Sequence, residues 1–282
     1  MIQPGVLWGL ATAAAWGTAD FTGGLASRRV APFAVTAGSQ VIGLVALVVG
    51  VLLLAPPIPA ADTLLLGAVA GLGGGLGLAF LYEGLARGSM GIVSSLSGAG
   101  AAVIPLLATL LLGTQIAPIA LVGVALIVAA GLAAADISRD AASRSALLLA
   151  LGAAIGFSSW YLIIDRAAAD GGIWALVASR TASVLLIGGI VAATKARASV
   201  RSLPSVLPLV VLAGVLDVGA NVFFVVARGE ISVALAATLS GLYPLATMLL
   251  ARVVLGERLP RLGLLAVLLA VTGTILISVS RA

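Results

Sequence analysis

Apolar residues in this chain do not alternate with polar ones; they form long runs separated by a few polar or helix-breaking positions. A window of about 19 residues, suited to a membrane-crossing helix, places the runs near 5–25, 33–54, 63–85, 90–112, 118–135, 145–165, 172–193, 205–227, 231–255 and 261–279. The breaks are short: Arg28, Arg29 and Pro32, then Pro56, Pro57 and Pro59, then 113–118, and later Lys195 to Pro204. Connections of this length leave no room for a soluble domain. Met1 to Pro4 carry no basic cluster, and the first run ends in Asp20 and Phe21 instead of a small-residue cleavage site. It reads as a retained helix and not a signal peptide.

The polar stretch 136–145, with Asp136, Arg139, Asp140 and Arg144, divides the ten runs five and five. A shift of 140 residues superposes Ser39-Gln40 on Ser179-Arg180, Ala14 on Ala154, Thr18 on Ser158 and Phe21 on Tyr161. A shift of 143 matches Ser97-Gly98 with Ser240-Gly241, and a shift of 141 matches Ala86-Arg87-Gly88 with Ala227-Arg228-Gly229. An odd number of spans makes the second copy enter the membrane in the opposite sense, the inverted-repeat plan of many secondary transporters. The expected fold is therefore an all-α integral membrane protein of ten transmembrane helices, with five-helix repeats over 1–138 and 139–282.

Composition agrees: 62% of residues are hydrophobic and 9% charged, against about 25% charged in soluble domains, and mean hydropathy is +1.26. The chain has no cysteine and no histidine, which excludes disulfides, thiolate chemistry, zinc sites and serine-histidine catalysis. The net charge of +5 marks topology and not nucleic-acid binding, because the basic residues sit in short loops. Arg28, Arg29, Arg87, Arg139, Arg144, Lys195, Arg197, Arg201, Arg258 and Arg261 fall in odd-numbered loops, and Arg166, Arg228 and Arg281 on the other side. That places both termini outside. Fourteen arginines to one lysine, with abundant Ala and Gly, point to GC-rich bacterial coding and an inner membrane.

Trp16-Gly17 in the first run, Ser240-Gly241 followed by Pro244 in the ninth, and Gly256-Glu257-Arg258 closing it resemble the EamA family of the drug/metabolite transporter superfamily, over the whole chain and in both repeats. The first repeat departs from that pattern, with Gly113-Thr114-Gln115 in place of Gly256-Glu257-Arg258 and Ala101 in place of Pro244. The Gly-Glu-Arg step is expected to cap a helix end and anchor it at the headgroups. The resemblance implies a ten-helix basket around a central cavity lined by spans one, three, four, six, eight and nine. It implies movement of small metabolites, often outward, with amino acids and cationic compounds among the substrates of relatives.

A charge deep in hydrocarbon costs about 2.5–3.5 kcal/mol and so faces a cavity or a partner. Asp20, Glu83, Arg180 and Asp217 lie within the runs. Asp217, Asn221, Phe224 and Arg228 follow 4, 3, 4 spacing and share a helical face. Asp217 is read either as lining a cavity or as paired with Arg180 between spans seven and eight. Trp8, Thr12, Trp16 and Asp20 recur every four residues, a stripe that belongs against protein or water, with Trp8 suited to the headgroup belt. Ser158, Ser159, Trp160 and Tyr161 occupy the matching part of span six, and the two aromatic groups would suit an apolar, aromatic or cationic solute; ordinary helix packing is the alternative.

Glu83 reads as an interfacial pair with Arg87, while Tyr82 and Tyr243 are cavity candidates. Ser94, Ser95, Ser97, Thr238 and Ser240 are candidate contacts, although hydroxyls in membrane helices commonly bond their own backbone. The glycine-rich run 71–77 lacks the Lys and Ser/Thr of a phosphate loop; Gly67, Gly71 and Gly75 instead make a small-residue face for close helix approach. Pro105 and Pro244 are candidate bend points.

These residues favour a secondary transporter working by alternating access, with amino-acid export as first choice and an organic cation or nucleobase-like solute as alternatives. The candidate substrate contacts are Thr12, Trp16, Asp20, Tyr82, Ser97, Ser159, Trp160, Asp217, Asn221 and Tyr243. Asp217 and Asp20 are the candidates for ion coupling, and Arg180 for a structural ion pair. An intramembrane aspartyl enzyme using Asp20 and Asp217 is disfavoured, since Asp217 follows Gly214-Val215-Leu216 and not a Gly-x-Gly step. No cofactor or metal is expected. The partners are a small-molecule substrate and the lipid bilayer, without nucleic acid; monomer and oligomer stay open.

Overall fold

In hydrocarbon every backbone N–H and C=O must be satisfied within the chain, so apolar runs of this length become helices. The computed structural model describes residues 4–111, 117–137, 141–231, 236 and 239–279; Thr238, the Gly113-Thr114-Gln115 step, Arg139 and Arg281 lie outside these. The helices are α1 (Pro4–Ser27), α2 (Pro32–Leu54), α3 (Ala61–Arg87), α4 (Met90–Leu111), α5 (Pro118–Ile137), α6 (Ala141–Ala193), α7 (Ala196–Ser199), α8 (Leu207–Glu230), α9 (Tyr243–Leu255) and α10 (Arg261–Val279). A 3₁₀ turn, Val200–Val206, joins α7 to α8.

The chain is a multi-pass, all-helical membrane protein. Among the described residues five segments are long and apolar enough to cross a bilayer: Pro32–Leu54, Ala61–Arg87, Arg144–Ile164, Gly172–Ala193 and Ala196–Glu230. Met90–Ala101, Pro118–Ala130, Tyr243–Leu255 and Arg261–Ile277 are shorter apolar helices. Leu52, Leu53, Leu148, Leu185 and Val253 stand 70–80% exposed, the side-chain chemistry a lipid-facing surface needs.

The sixth and seventh runs are two helices, the arms Arg144–Ile164 and Gly172–Ala193 of α6, joined across a kink at Gly172 with φ 44° and ψ −117°, a backbone state open to glycine. One boundary differs from the sequence expectation. The ninth run is interrupted by a turn at Gly241-Leu242, and α9 starts only at Tyr243. Pro244 lacks an N–H and so sits in the first turn of α9, where no intrahelical donor is required.

Packing is organised around α3, which lies between the two arms of α6. Added methyls at Gly67, Gly71 and Gly75 would run into Ala175, Ser179 and Ser183 of the second arm. Both series rise by four, so these helices run parallel. Gly73 and Gly77 press against Ser159 and Phe157, and Gly84 against Ala146 and Leu149, on the first arm; that pairing is antiparallel. Bilayers supply no hydrophobic drive between helices, and backbone approach over small residues provides the contact.

One end of the bundle is held shut. Phe21, Leu81, Tyr82, Leu85, Met90, Val93, Ala146 and Ala251 form a buried layer there, and the α3–α4 turn above it is gripped from two sides. Arg28, just past the end of α1, donates to the carbonyl oxygens of Leu85 and Gly88 at 3.5 and 3.4 Å. Glu257 accepts from the Ser89 hydroxyl and from the Met90 backbone N–H, the latter at 3.3 Å. A cation thus meets the negative end of α3 and an anion the positive end of α4. Gly256, at φ 65°, ends α9 in a left-handed residue and turns Glu257 toward α4. The Gly-Glu-Arg step expected to anchor at headgroups therefore places its carboxylate on a neighbouring helix.

Gly71→Ala is expected to lose about 1–3 kcal/mol of stability by overpacking, read as a lower melting temperature in detergent. Gly219→Ala, whose added methyl meets nothing within 4 Å, should be neutral or gain up to about 1 kcal/mol of helix propensity. Glu257→Gln is expected to cost about 1 kcal/mol in the same melting experiment.

Candidate functional site

A cavity of about 460 Å³ lies between α1, α3, α4, α6, α8 and α9, with Gln40 of α2 and Thr274 and Ile277 of α10 also on its wall. It extends from Asp20 and Asp217 along α8 to Arg228, away from the closed layer and toward the end where Gly5 of α1 meets Glu230 and Ile231. The face spaced 4, 3, 4 on α8, Asp217, Asn221, Phe224 and Arg228, lines it throughout.

Charge enters from three helices. Arg180 Nη1 lies 2.7 Å from Asp217 Oδ2 and donates to Gln40 Oε1, also at 2.7 Å. The two readings of Asp217 are thus compatible, since it pairs with Arg180 and lines the cavity. Asp20 is 6% exposed, reaches the cavity wall, and belongs to neither ion pair found among the described residues. The other pair joins Glu83 and Arg87 one helical turn apart, outside the cavity.

Aromatic rings surround the carboxylate end. Trp16, one turn before Asp20, has Tyr161 edge-on at 6.3 Å, Phe224 tilted at 6.1 Å and Tyr243 edge-on at 6.4 Å between ring centroids. Trp160 stacks edge-on to Tyr161 at 5.2 Å and donates its indole N–H to the Ser179 hydroxyl at 3.1 Å, linking the two arms of α6. Such rings offer π faces to a cation or to an apolar body. Among the described residues no acidic cluster is placed to hold a metal ion.

Of the ten candidate contacts, Trp16, Asp20, Trp160, Asp217, Asn221 and Tyr243 line the cavity, together with Arg180. Thr12, Tyr82, Ser97 and Ser159 do not. The hydroxyls of Thr12, Ser97 and Ser159 bond the carbonyls of Trp8, Ser94 and Gly156 within their own helices, as hydroxyls in apolar surroundings do. Tyr82 is wholly buried in the closed layer, its ring lying over Gly23.

Sequence reasoning passed over Gln40, Phe157, Ser179 and Ser183, all on the wall. Gln40 had a usable signal: the shift of 140 places it on Arg180, and it interrupts an apolar run. Ser179 and Ser183 had another, sharing the four-residue step of Gly71 and Gly75 against which they pack.

Comparison with known proteins bears on this geometry. A family model described as the EamA-like transporter family matches the chain twice, over residues 3–134 and 144–279. One crystal structure matches at 17% identity over 100% of both chains with a TM-score of 0.66, a likeness of fold. No curated protein matches the chain.

Asp217→Asn or Arg180→Gln alone leaves a charge without its partner and is expected to destabilise by about 3 kcal/mol, the lower end for buried pairs, because the cavity admits solvent. The double variant should recover part of that loss, measured as a double-mutant cycle on melting temperature.

Proposed function

The chain belongs to the EamA-like transporter family, and we propose that it exports amino acids or related compounds across a bacterial inner membrane by alternating access. As this is a family of transporters, the aspartyl-enzyme reading is set aside. The observation that carries the substrate reading is Asp20, a carboxylate on the cavity wall that joins no ion pair among the described residues and neighbours the aromatic group around Trp16. An ammonium group fits Asp20, and the rings fit the organic body attached to it. Arg180 uses Nη1 for Gln40 and Asp217, leaving its other guanidinium edge as the natural contact for a substrate carboxylate.

The architecture we assign is ten spans in two inverted repeats. Support comes from the two matches to one family model and from packing. α1 packs on α8 and α9 as the first arm of α6 packs on α3 and α4, and α2 meets α8 as the second arm of α6 meets α3. Gln40 and Arg180, equivalent under the shift of 140, bond one another, as residues flanking a pseudo-two-fold axis would. The closed end carries Arg28, Arg29, Arg87, Lys195, Arg197 and Arg201, which the positive-inside rule assigns to the cytoplasm. The cavity accordingly faces outward, and inward opening requires the layer beneath the α3–α4 turn to part.

Proteoliposomes tested with labelled amino acids and organic cations, with and without a proton gradient, check this. Saturable amino-acid flux is expected, with Asp20→Asn and Trp16→Ala each raising KM about tenfold, in line with about 0.5–2 kcal/mol for a cation over a ring. Unchanged flux in both variants, or transport confined to organic cations, would overturn the amino-acid reading.

A further inference from the structure

The connection between α6 and α8 is built differently from its counterpart in the first half of the chain. That counterpart, the loop 55–60 between α2 and α3, has three prolines and no charge. Here the connection is helical, α7 followed by the 3₁₀ turn Val200–Val206, and Lys195, Arg197 and Arg201 line an open surface pocket with Thr194 and Ala198. None of the three cations joins an ion pair among the described residues. The other face of the segment is apolar: Val206 is buried, and Leu203 packs into the closed layer against Gly38 of α2. Val200, between Arg197 and Arg201 in the chain, and Leu207, at the start of α8, stay 42% and 48% exposed.

Cations alone satisfy the positive-inside rule anywhere on this side. A pocket that gathers three of them beside exposed apolar residues, on a segment fixed through its opposite face, has the layout of a headgroup site: charge for the phosphate and a dry flank for the acyl chains. We propose that Lys195, Arg197 and Arg201 bind the phosphodiester headgroup of an anionic phospholipid. The bound lipid ties the end of α6, which carries Arg180, to the start of α8, which carries Asp217, and so holds together the two helices whose ion pair borders the cavity.

The test uses the full chain purified in detergent, with binding read by native mass spectrometry and by the shift in melting temperature. The probes are phosphatidylglycerol, phosphatidylcholine and inorganic phosphate. Phosphatidylglycerol is expected to bind and to raise the melting temperature, with phosphatidylcholine and phosphate doing neither. At about fivefold per charge near an anionic headgroup, K195Q/R197Q/R201Q should weaken binding about a hundredfold, whereas R258Q/R261Q, on the same side, should retain it. The charge-preserving R197K/R201K should bind within a fewfold of the parent and guards against misfolding of the triple variant. Equal loss in R258Q/R261Q would reduce the effect to diffuse surface charge and overturn the proposal. Full retention in the triple variant, or an equal effect of inorganic phosphate, would also overturn it.

Discussion

The backbone-to-backbone approach of α3 to the two arms of α6 is the constraint on which the rest depends. Lipid solvates leucine as well as another leucine does, so helices in a bilayer gain from meeting only where small residues let backbones close in. Gly67, Gly71 and Gly75 serve the second arm, while Gly73 and Gly77 serve the first. One glycine-rich helix therefore sets the separation of both arms. Ser179, Arg180 and Ser183 on one arm, with Phe157 and Trp160 on the other, reach the same cavity because of it.

Within that frame the cavity divides its charges unequally. Arg180 takes Asp217 and Gln40, a compact arrangement that holds α2, α6 and α8 together at one level and limits the cost of taking ions out of water. Asp20 shares the wall without an ion pair of its own among the described residues, and its neighbours are rings. A charge in a membrane-spanning helix is costly and so faces a cavity or a partner, and Asp20 faces the cavity.

The two ends of the bundle are held by different forces. At the closed end, apolar packing is supplemented by side chains placed on helix termini, Arg28 at the end of α3 and Glu257 at the start of α4. These interactions are directional and depend on helix ends staying in register, so they release together if the α3–α4 turn moves. At the other end Trp8 of α1 meets Phe223 of α8 with ring centroids 5.4 Å apart, and the Trp174 indole N–H donates to the Pro56 carbonyl at 3.2 Å.

The linear chain by itself determined the class of the protein. Runs of apolar residues, a charge content too low for a soluble surface, and the spacing of Asp217, Asn221, Phe224 and Arg228 are local properties, and helical periodicity carries them directly into structure. The glycine face of α3 was legible for the same reason, although its partners were not. Only the tertiary structure decided that Gln40 and Arg180 touch, that Tyr82 is buried under the cavity instead of lining it, and that Glu257 caps a helix begun 167 residues earlier in the chain. Contacts of that kind depend on how helices rotate and tilt against one another, and helices distant in sequence settle that only when they pack.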